Sequence, residues 1–508
     1  MFYFLTGNIS YNNSGIEHAQ MQRLRLFHTH HQPAKIMTFE YNRYLGLDLP
    51  REGLQDSDVL NMFDFFQGTT HYTGARKNVA DFKITNTNKV SDDWRFNFQA
   101  GQQTVATVFP FTDQNHYDDG QIEHIEYYGK TGQLWRKDLY DVRGFLSSSE
   151  YYDQQQQLTL QVMYNLAGMI IAKVAIRMQN DGTRKYTTIH LNYQNQEYQF
   201  PDLASFQGFF MDEAIDSQQD CIILDRSFAV DPAFFHMQHH VRAYSFWHNT
   251  FTHNPDLPLT SPIDSVMLAQ INHAKLFSGI IASTKQQSAD IKDRFDHGVP
   301  TYAIPVGSFT KEQLQQPLPD FARRRRHHII NVSRIHDQKH LEDTLSVFIN
   351  IQKELPDATL AIHGYTNDQK IKDRLVKQAT DAGVINQVEF VPYTPDIDSI
   401  YDEAGLFLFT SDYEGFGLAL LDAQAHGVPA VSYRTNYGPD EIIQDGQTGY
   451  LVNKGDIDGM TAAALKILTN DDLATQLSSA AHQSAERFSD DQIWQQWVNA
   501  GVIDARED

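Results

Sequence analysis

The sequence has little cysteine, a deficit of positive charge and no long apolar run. Its one cysteine, Cys221, excludes an internal disulfide and is typical of proteins from a reducing compartment. No stretch reaches the ~20 consecutive apolar residues that span a bilayer, and no basic segment followed by an apolar one opens the chain. We therefore expect a cytoplasmic protein without a signal peptide, with at most peripheral contact at the inner membrane face.

The deficit of positive charge excludes one class of partner. The chain has 41 Lys and Arg against 64 Asp and Glu, a formal net charge of −23. Such a surface repels nucleic acid, so we expect no nucleic-acid partner. What is present is a chain of 508 residues that is 41% hydrophobic, which is enough for two or three domains with packed cores.

The order of predicted elements indicates an α/β protein with an insertion. Short apolar runs followed by helix-like segments predict two Rossmann-like, doubly wound domains whose strands end at a common cleft. Residues 57–67 read as a helix and residues 310–327 as a linker. Alternating β-formers separated by turn residues predict an antiparallel sheet inside the first domain. The predicted boundaries are 1–75 and 203–318 for the first domain, 76–202 for the insertion, 319–488 for the second domain and 489–508 for a C-terminal helix.

The stretch SDYEGFGLALLDAQAHGVPAV (411–431) carries two carboxylates in a suggestive arrangement. Glu414 lies in a loop after a buried strand, before the Gly-x-Gly turn at 415–417. Asp422 lies about two turns further, on nearly the same side of the following helix. One ligand with a row of hydroxyls could contact both side chains. The alternative is an acidic residue at a helix N-terminus and a solvated aspartate.

Two cations flank a second loop, in the segment NVSRIHDQKHLED (331–343). Arg334 and Lys339 follow the first strand of the second domain, and a bidentate guanidinium beside an ammonium suits a diphosphate. The alternative is a solvated basic surface.

Together, SRIHDQK (333–339), SDYEGFGLALLDA (411–423) and YGPDEIIQDGQTGYLV (437–452) resemble the nucleotide-sugar domain of the family 4 retaining glycosyltransferases, which have the GT-B fold. The segment NSGIEHAQMQRLRLF (13–27) and the inserted sheet are similar to one bacterial subgroup. That subgroup contains poly(glycerol-phosphate) or wall-teichoic-acid α-glycosyltransferases and accessory-Sec glycosyltransferases. The family hallmark is Glu, seven residues, Glu, and here Asp422 replaces the second Glu, which shortens its reach toward a ribose.

The resemblance implies a role for each matching residue. Arg334 and Lys339 would hold the donor diphosphate, and Glu414 would contact sugar hydroxyls. The remaining implied positions are Phe416 and Gly417, whose amides would approach the sugar or phosphate, Asp422 at the ribose, Gly15 near the phosphates, and His248 near the transferred sugar or the acceptor.

The resemblance also implies the reaction. We expect glucose or N-acetylglucosamine to pass from a UDP-sugar to a poly(glycerol or ribitol phosphate) acceptor with retention of configuration. Neither a metal nor a cofactor other than the donor is expected. A Ser/Thr-rich adhesin protein is the alternative acceptor, and homo-oligomers through the inserted sheet are expected by resemblance.

Two other classes of function stay open. One is a non-catalytic, glycosyltransferase-like chaperone subunit, although such a protein would be expected to lose Arg334, Lys339 or Glu414. The other is a sugar phosphorylase, which would need pyridoxal phosphate held by a lysine, and no candidate lysine is evident.

The basic run at residues 323–328 is the last candidate site. Four consecutive arginines could bind a polyanionic acceptor, or could form the solvated edge of a linker; they are Arg323, Arg324, Arg325 and Arg326. The histidine clusters at 28–31 and 236–240 lack evident partners for a metal, and we interpret them as surface or loop residues.

Overall fold

The computed structural model describes residues 1–11, 13–72, 74–92, 94–111, 120–295, 298–318, 321–366, 368–394 and 396–503. The chain divides into two compact units. Unit 1 comprises Met1–Asn13 and Ala34–Arg242, and unit 2 comprises Ser14–Pro33 and Ala243–Asp508. The predicted boundary at 318/319 adjoins residues 319 and 320, which lie outside the described residues.

Unit 1 contains a set of short, buried parallel strands. They are β1 (Phe2–Thr6), β2 (Ala34–Thr38), β3 (Val59–Asn61) and β14 (Cys221–Leu224), in the order β14-β1-β2-β3. The helices of this unit are α2 (Leu45–Arg51), α3 (Met62–Gln67), α4 (Leu203–Ala214) and α5 (Ser227–Phe235).

The predicted helix at 57–67 is wrong in its first half. Residues Val59–Asn61 pair with β2 as a strand, and the helix begins only at Met62. The Asn61 side chain accepts hydrogen bonds from the amides of Phe63 and Asp64, which fixes the start of the helix. Pairing at the sheet edge therefore overrides the local helical pattern.

The insertion is a ten-stranded antiparallel meander, as predicted. Each strand pairs with its neighbour in sequence. The strands are β4 (Asn88–Asp92), β5 (Arg95–Ala100), β6 (Gln103–Pro110), β7 (Ile122–Tyr128), β8 (Leu134–Tyr140), β9 (Leu146–Tyr152), β10 (Leu158–Tyr164), β11 (Ile170–Met178), β12 (Arg184–Tyr193) and β13 (Gln196–Phe200).

Aromatic side chains join this sheet to the helices of unit 1. The ring of Phe66 on α3 lies 5.2 Å from those of Tyr193 on β12 and Phe206 on α4. Because buried aromatic pairs contribute both area and directional packing, this cluster fixes the sheet against α3 and α4.

Unit 2 begins with a long helix and three parallel strands. The helix is α1 (Gly15–Thr29), and the strands are β15 (Arg242–Trp247), β16 (Gly279–Ala282) and β17 (Thr301–Ala303). The helices that follow these strands are α6 (Ser265–Asn272), α7 (Lys285–Arg294) and α8 (Lys311–Gln315).

The rest of unit 2 is a doubly wound domain around a six-stranded parallel sheet. Its strands are β18 (Arg325–Val332), β19 (Thr359–His363), β20 (Val388–Val391), β21 (Ala404–Phe409), β22 (Ala430–Arg434) and β23 (Gly449–Asn453). Its helices are α9 (Leu341–Glu354), α10 (Gln369–Asp381), α11 (Asp398–Glu403), α12 (Leu418–Ala425), α13 (Pro439–Ile442), α14 (Ile457–Leu468), α15 (Asp471–Ala485) and α16 (Asp490–Asn499).

The strand order places the predicted site residues together. The order β20-β19-β18-β21-β22-β23 reverses direction between β18 and β21. Loops at the carboxyl ends of two such strands diverge and leave a crevice, where ligands of doubly wound sheets bind. The loop after β18 carries Arg334 and Lys339, and the loop after β21 carries Glu414.

The predicted linker at 310–327 is shorter than expected. Helix α8 and a 3-10 turn at Phe321–Arg323 occupy part of it, and β18 begins at Arg325. Pairing of Arg325 with Ala404 on β21 draws the basic residues into the sheet.

Among the described residues, no helix is long and apolar enough to cross a membrane.

Candidate functional site

The centre of the candidate site is an ion pair between two predicted residues. The Lys339 ammonium donates a hydrogen bond to Glu414 Oε1 at 2.6 Å. The two side chains are only 14% and 11% exposed. A buried pair of this kind costs little only when its geometry is good, so its presence in a crevice points to a functional role.

Hydrogen bonds between the two loops bring this pair together. The Gln338 side-chain amide donates to the Tyr413 carbonyl at 2.8 Å, and the Asp412 amide donates to the Gln338 carbonyl at 2.8 Å. The buried Thr410 hydroxyl contacts the carbonyls of Lys339 and His340 at 2.9 and 3.0 Å. The backbone on both sides of the pair is therefore fixed.

Arg334 lies in the same loop as Lys339, after β18. It is half-buried at the end of β18, and its charge acts on Tyr413, the neighbour of Glu414. Among the residues that the structure describes, none forms an ion pair or hydrogen bond with its side chain. A half-buried cation without a protein carboxylate suits an anionic ligand.

The loop around Glu414 is held on its other side by the segment after β22. The Glu414 amide donates to the Asn436 carbonyl at 2.9 Å, and the Tyr437 amide donates to the Glu414 carbonyl at 2.6 Å. The buried Tyr437 hydroxyl donates to Asp290 on α7 at 2.8 Å. Burial and this carboxylate raise the pKa of Tyr437 well above its ordinary value, so the phenol stays protonated.

The backbone of His248 lies against the same loop, and a role of its side chain in the site stays a prediction. A β-carbon at Gly415 would lie 1.8 Å from the His248 carbonyl oxygen. Only glycine permits this approach of two backbone segments. The His248 ring stacks on Phe246, with centroids 4.3 Å apart.

The N-terminus of α1 lies near the start of α12. A β-carbon at Gly15 would lie 3.9 Å from the Leu418 side chain, next to Gly417. One turn further, His18 Nε2 lies 3.2 Å from the Tyr393 hydroxyl, in the loop after β20. Burial lowers the pKa of His18, which favours the neutral imidazole at this contact.

Gly417 and Phe416 shape the turn into α12. Gly417 has φ +105°, a left-handed conformation that glycine adopts without strain, and it directly precedes α12. Phe416 is buried against Phe488, with ring centroids 5.8 Å apart. The Phe416 side chain thus anchors the turn, and only its backbone faces the implied ligand.

Asp422 has a different environment from Glu414. Burial, with the negative charge of Asp398 as a second cause, raises its pKa from 3.8 to about 7. Within the described part of the chain, no side chain or backbone group donates a hydrogen bond to its carboxyl group. It is therefore a carboxyl group with free capacity for a hydroxyl or amide of a ligand.

The four arginines at 323–326 do not form one open basic surface. The Arg324 guanidinium is buried and donates to the carbonyls of Tyr401 and Ala404 at 2.7 and 3.2 Å. Arg326 binds Asp471 at 2.7 Å. Only Arg323 and Arg325 remain exposed. These contacts explain the run structurally, and binding of an acceptor by it stays a prediction.

Sequence reasoning missed the residues that connect the loops, chiefly Gln338, Thr410 and Asn436. Their roles come from contacts with residues up to 75 positions away in the chain, such as that of Gln338 with Tyr413. No local sequence pattern marks such contacts.

Across the described residues there is no group of three or more His, Cys, Asp or Glu that could hold a metal ion.

A segment in the C-terminal part of the chain matches a known family model. Residues 320–484 match the model described as "Glycosyl transferases group 1". This range contains Arg334, Lys339, Glu414 and Asp422.

Two kinds of relative match this chain over nearly its whole length. The chain is 24% identical to a UDP-N-acetylglucosamine–peptide N-acetylglucosaminyltransferase GtfA subunit of Streptococcus gordonii, over 98% of this chain and 97% of the relative. It is 23% identical to the poly(glycerol-phosphate) alpha-glucosyltransferase of Bacillus subtilis (strain 168), over 98% of this chain and 74% of the relative.

The fold is shared with a solved structure. S. aureus TarM, crystallised with UDP, α-GlcNAc-glycerol and fondaparinux, matches with a TM-score of 0.82 at 20% identity, over 98% of this chain and 99% of that one. These similarities confirm the resemblance inferred from the motifs: residues 320–484 match the group 1 glycosyl transferase model, and the chain has the GT-B fold of TarM.

Proposed function

We propose that this protein is a retaining glycosyltransferase that moves glucose or N-acetylglucosamine from a UDP-sugar to a poly(glycerol or ribitol phosphate) acceptor of the teichoic-acid type. The observation that carries the proposal is the arrangement around the β18–β21 crevice. Lys339 contacts Glu414 there, and the charge of Arg334 acts on the neighbouring Tyr413. Among the described residues, the Arg334 side chain has no ion-pair or hydrogen-bond partner. These groups match the charge of a diphosphate and the hydroxyls of a sugar.

The cations supply the main chemical assistance. When the bond between the anomeric carbon and the phosphate oxygen breaks, negative charge develops on the departing UDP. Arg334 and Lys339 stabilise that charge, an effect that fixed cations in a water-poor site provide efficiently. They take the part that a metal ion plays elsewhere, and the proposed reaction needs neither a metal nor a cofactor besides the donor.

Retention follows if the acceptor attacks from the face that the leaving group vacates. The acceptor hydroxyl forms the new bond to the anomeric carbon on that face. Its proton passes to the departing phosphate oxygen, so that UDP leaves with the proton and the charges balance. Glu414, held by Lys339, orients the sugar through its hydroxyls, and His248 lies against the same loop. The Asp422 carboxylate accepts a hydrogen bond from a hydroxyl of the ribose.

A second acceptor class has its own support. The relatives with 24% and 23% identity act, by their names, on a peptide and on a poly(glycerol phosphate). We therefore keep transfer to a Ser/Thr-rich protein as the alternative function. A non-catalytic role is disfavoured because Arg334, Lys339 and Glu414 are all present, with Lys339 in contact with Glu414 and the charge of Arg334 acting on the neighbouring Tyr413.

The test compares two arginines of the same domain. Purified protein is incubated with radiolabelled UDP-glucose or UDP-N-acetylglucosamine and with each acceptor class, in EDTA. We expect polymer labelling that resists EDTA, an α-linked product by NMR, and a rate about 100-fold lower in Arg334→Ala.

The control variant is Arg374→Ala, because Arg374 is exposed on α10 and pairs at the surface with Glu342 at 3.3 Å. It should transfer at nearly the wild-type rate, since surface pairs contribute little. An equal loss in both variants, or no loss in Arg334→Ala, would contradict the assignment of the donor site.

A further inference from the structure

Three cations form a row on one face of the inserted sheet. Lys173 and Arg177 lie four residues apart on β11, and Lys185 lies directly opposite Arg177 on β12. Side chains at i and i+4 of a strand share a face, as do cross-strand partners. All three residues are exposed. We call Lys173, Arg177 and Lys185 the basic stripe; His190, the partner of Lys173, lies beside it.

The basic stripe has no carboxylate partner in the part of the chain that the structure describes. Among the described residues, none forms an ion pair or hydrogen bond with the side chains of the stripe. The nearby Asp181 is engaged in its own turn by the amide and hydroxyl of Thr183, at 2.9 and 2.7 Å. Glu197 lies opposite Asn192 at the edge strand β13. Arg184 pairs with Glu150 on the other face at 3.3 Å.

This arrangement is unfavourable for the sheet alone. Like charges directly opposite each other on neighbouring strands are destabilising, and Arg177 and Lys185 have this relation. The chain as a whole has a net charge of −23, so unpaired cations in a row are the exception on its surface. Their like-charge repulsion is relieved when a polyanion lies across them.

We propose that the basic stripe binds the phosphodiester backbone of the acceptor polymer. This inference rests on the proposed function and names a contact outside the donor site. A polymer with one phosphate in each repeat presents a line of charges, which matches cations spaced ~13 Å apart along β11, at ~3.3 Å per residue. A lipid surface would favour apolar side chains between the cations. The exposed large hydrophobic residues of this hairpin, Leu166, Met169 and Ile170, instead precede the stripe and do not lie between its cations.

The stripe has three exposed cations, whereas the arginine run has two, Arg323 and Arg325. Arg324 and Arg326 are bound within their own domain. Binding through exposed cations releases counterions from the polymer, so affinity for the polymer falls steeply with salt. The stripe therefore sets how tightly a long acceptor binds and how strongly salt weakens that binding, while the chemistry at the anomeric carbon is unchanged.

The experiment reverses the three charges in K173E/R177E/K185E. Hexose transfer from the UDP-sugar is measured with purified poly(glycerol phosphate) at ~50 and ~200 mM salt, a range over which three phosphate contacts should change the affinity for a polyanion by about 20- to 40-fold. We expect the KM for the polymer to rise by about 10-fold or more, with a weaker salt dependence. The kcat, the KM for the UDP-sugar, and transfer to glycerol phosphate should not change.

The matched control is K83E/K130E/K292E, which makes the same change of net charge at exposed lysines outside the stripe. It should leave the KM for the polymer unchanged. An equal rise of the polymer KM in the control would show that net charge acts, and would overturn the inference.

Other outcomes separate this inference from the proposed function. If the wild-type protein labels neither the polymer nor a Ser/Thr-rich peptide, the proposed function fails. If it labels only the peptide, glycosyl transfer stands and the stripe inference is overturned. If the stripe variant keeps its polymer KM, or loses only binding to phosphatidylglycerol vesicles, the inference is likewise overturned.

Discussion

Glu414 and Asp422 belong to one motif but have different environments. Glu414 receives a hydrogen bond from Lys339 at 2.6 Å, and its backbone is held on both sides by other loops. Asp422 has no such donor among the described residues, and burial raises its pKa to about 7. The two carboxyl groups therefore differ in their partners. Glu414 is held by a cation, whereas Asp422 has no hydrogen-bond donor among the described residues.

The comparison also separates stability from function. A buried ion pair contributes little net stability, but removal of one partner leaves a buried charge uncompensated. A buried carboxyl with no partner instead destabilises the fold at the pH at which it ionises. The two positions should therefore respond to the same kind of substitution in opposite directions.

The largest effect is expected at Glu414. Glu414→Gln keeps the shape but removes the charge that Lys339 contacts, and the rate of transfer should fall by about 100- to 1,000-fold. The affinity for UDP, measured by calorimetry, should change much less because the diphosphate cations remain.

A substitution of its partner tests the buried pair. Lys339→Met should lower the free energy of unfolding by about 3 kcal/mol or more, because the Glu414 carboxylate loses its partner. The double variant K339M/E414Q should recover part of that loss in chemical denaturation. If the double variant is no more stable than K339M, the two residues do not form a coupled pair.

The next effect concerns Thr410, which fixes the backbone of Lys339. Its hydroxyl proton is directed at the carbonyls of Lys339 and His340, so Thr344, at 2.7 Å, must be the donor to its oxygen. Thr410→Val keeps the volume and leaves these groups without partners. We expect kcat to fall by about 10-fold, since a small displacement of a catalytic group has large effects, and Thr410→Ser to restore it.

A double-mutant cycle distinguishes positioning from general destabilisation. In a Lys339→Ala background, Thr410→Val should not lower kcat further. The matched control is Thr461→Val, which removes a hydroxyl that donates to the Ile457 carbonyl within α14 at 2.7 Å. It should lower the melting temperature slightly and leave kcat unchanged. Additive losses at Thr410 and Lys339 would argue against a positioning role.

A smaller and opposite effect is expected at Asp422. Its folded-state pKa of about 7 lies above the value of 3.8 for an unperturbed Asp. The folded state therefore holds a proton that the unfolded state has lost between pH ~4 and ~7, and stability falls as pH rises through this window. Asp422→Asn removes this loss, and should be more stable than the wild type by roughly 2–4 kcal/mol at pH 8.

Urea unfolding at pH 4 and pH 8 measures the effect. At pH 4 the variant and the wild type should be nearly equal. Asp293→Asn is the control, because Asp293 is exposed on α7, and it should show no such pH dependence. A wild-type protein that gains stability from pH 4 to pH 8 relative to Asp422→Asn would contradict the assigned pKa.

The smallest effect is expected from Asp422→Glu. The longer side chain restores the reach of the family pattern toward the ribose, so the affinity for UDP should rise by about three- to ten-fold, as one better hydrogen bond allows. Calorimetry with UDP and with 2′-deoxy-UDP measures it. An equal gain for both nucleotides would place Asp422 away from the ribose 2′-hydroxyl.

The sequence was sufficient for the elements with strong local signals. The antiparallel insertion predicted from alternating β-formers is found as an antiparallel sheet, because each strand carries its own period-two pattern and is bounded by turn residues. Arg334, Lys339 and Glu414 were placed together because the strand order of a doubly wound sheet brings the loops after β18 and β21 to one crevice.

Features that depend on distant partners were not accessible. The strand at Val59–Asn61 exists because β2 offers an edge, and its own residues also suit a helix. Arg324 was read with its neighbours as one basic patch, yet its guanidinium is directed at carbonyls 77 and 80 residues away. The basic stripe depends on the register between β11 and β12, which no single segment encodes.

The contact at Gly415 limits how the donor loop can be redesigned. A β-carbon at this position would overlap the His248 carbonyl, and one at Gly438 would lie 1.6 Å from the Phe416 carbonyl. Both glycines therefore act as backbone spacers on either side of Glu414. Variant libraries aimed at a new sugar preference should keep Gly415 and Gly438 and vary Tyr413 instead. A larger residue at either glycine would displace Glu414.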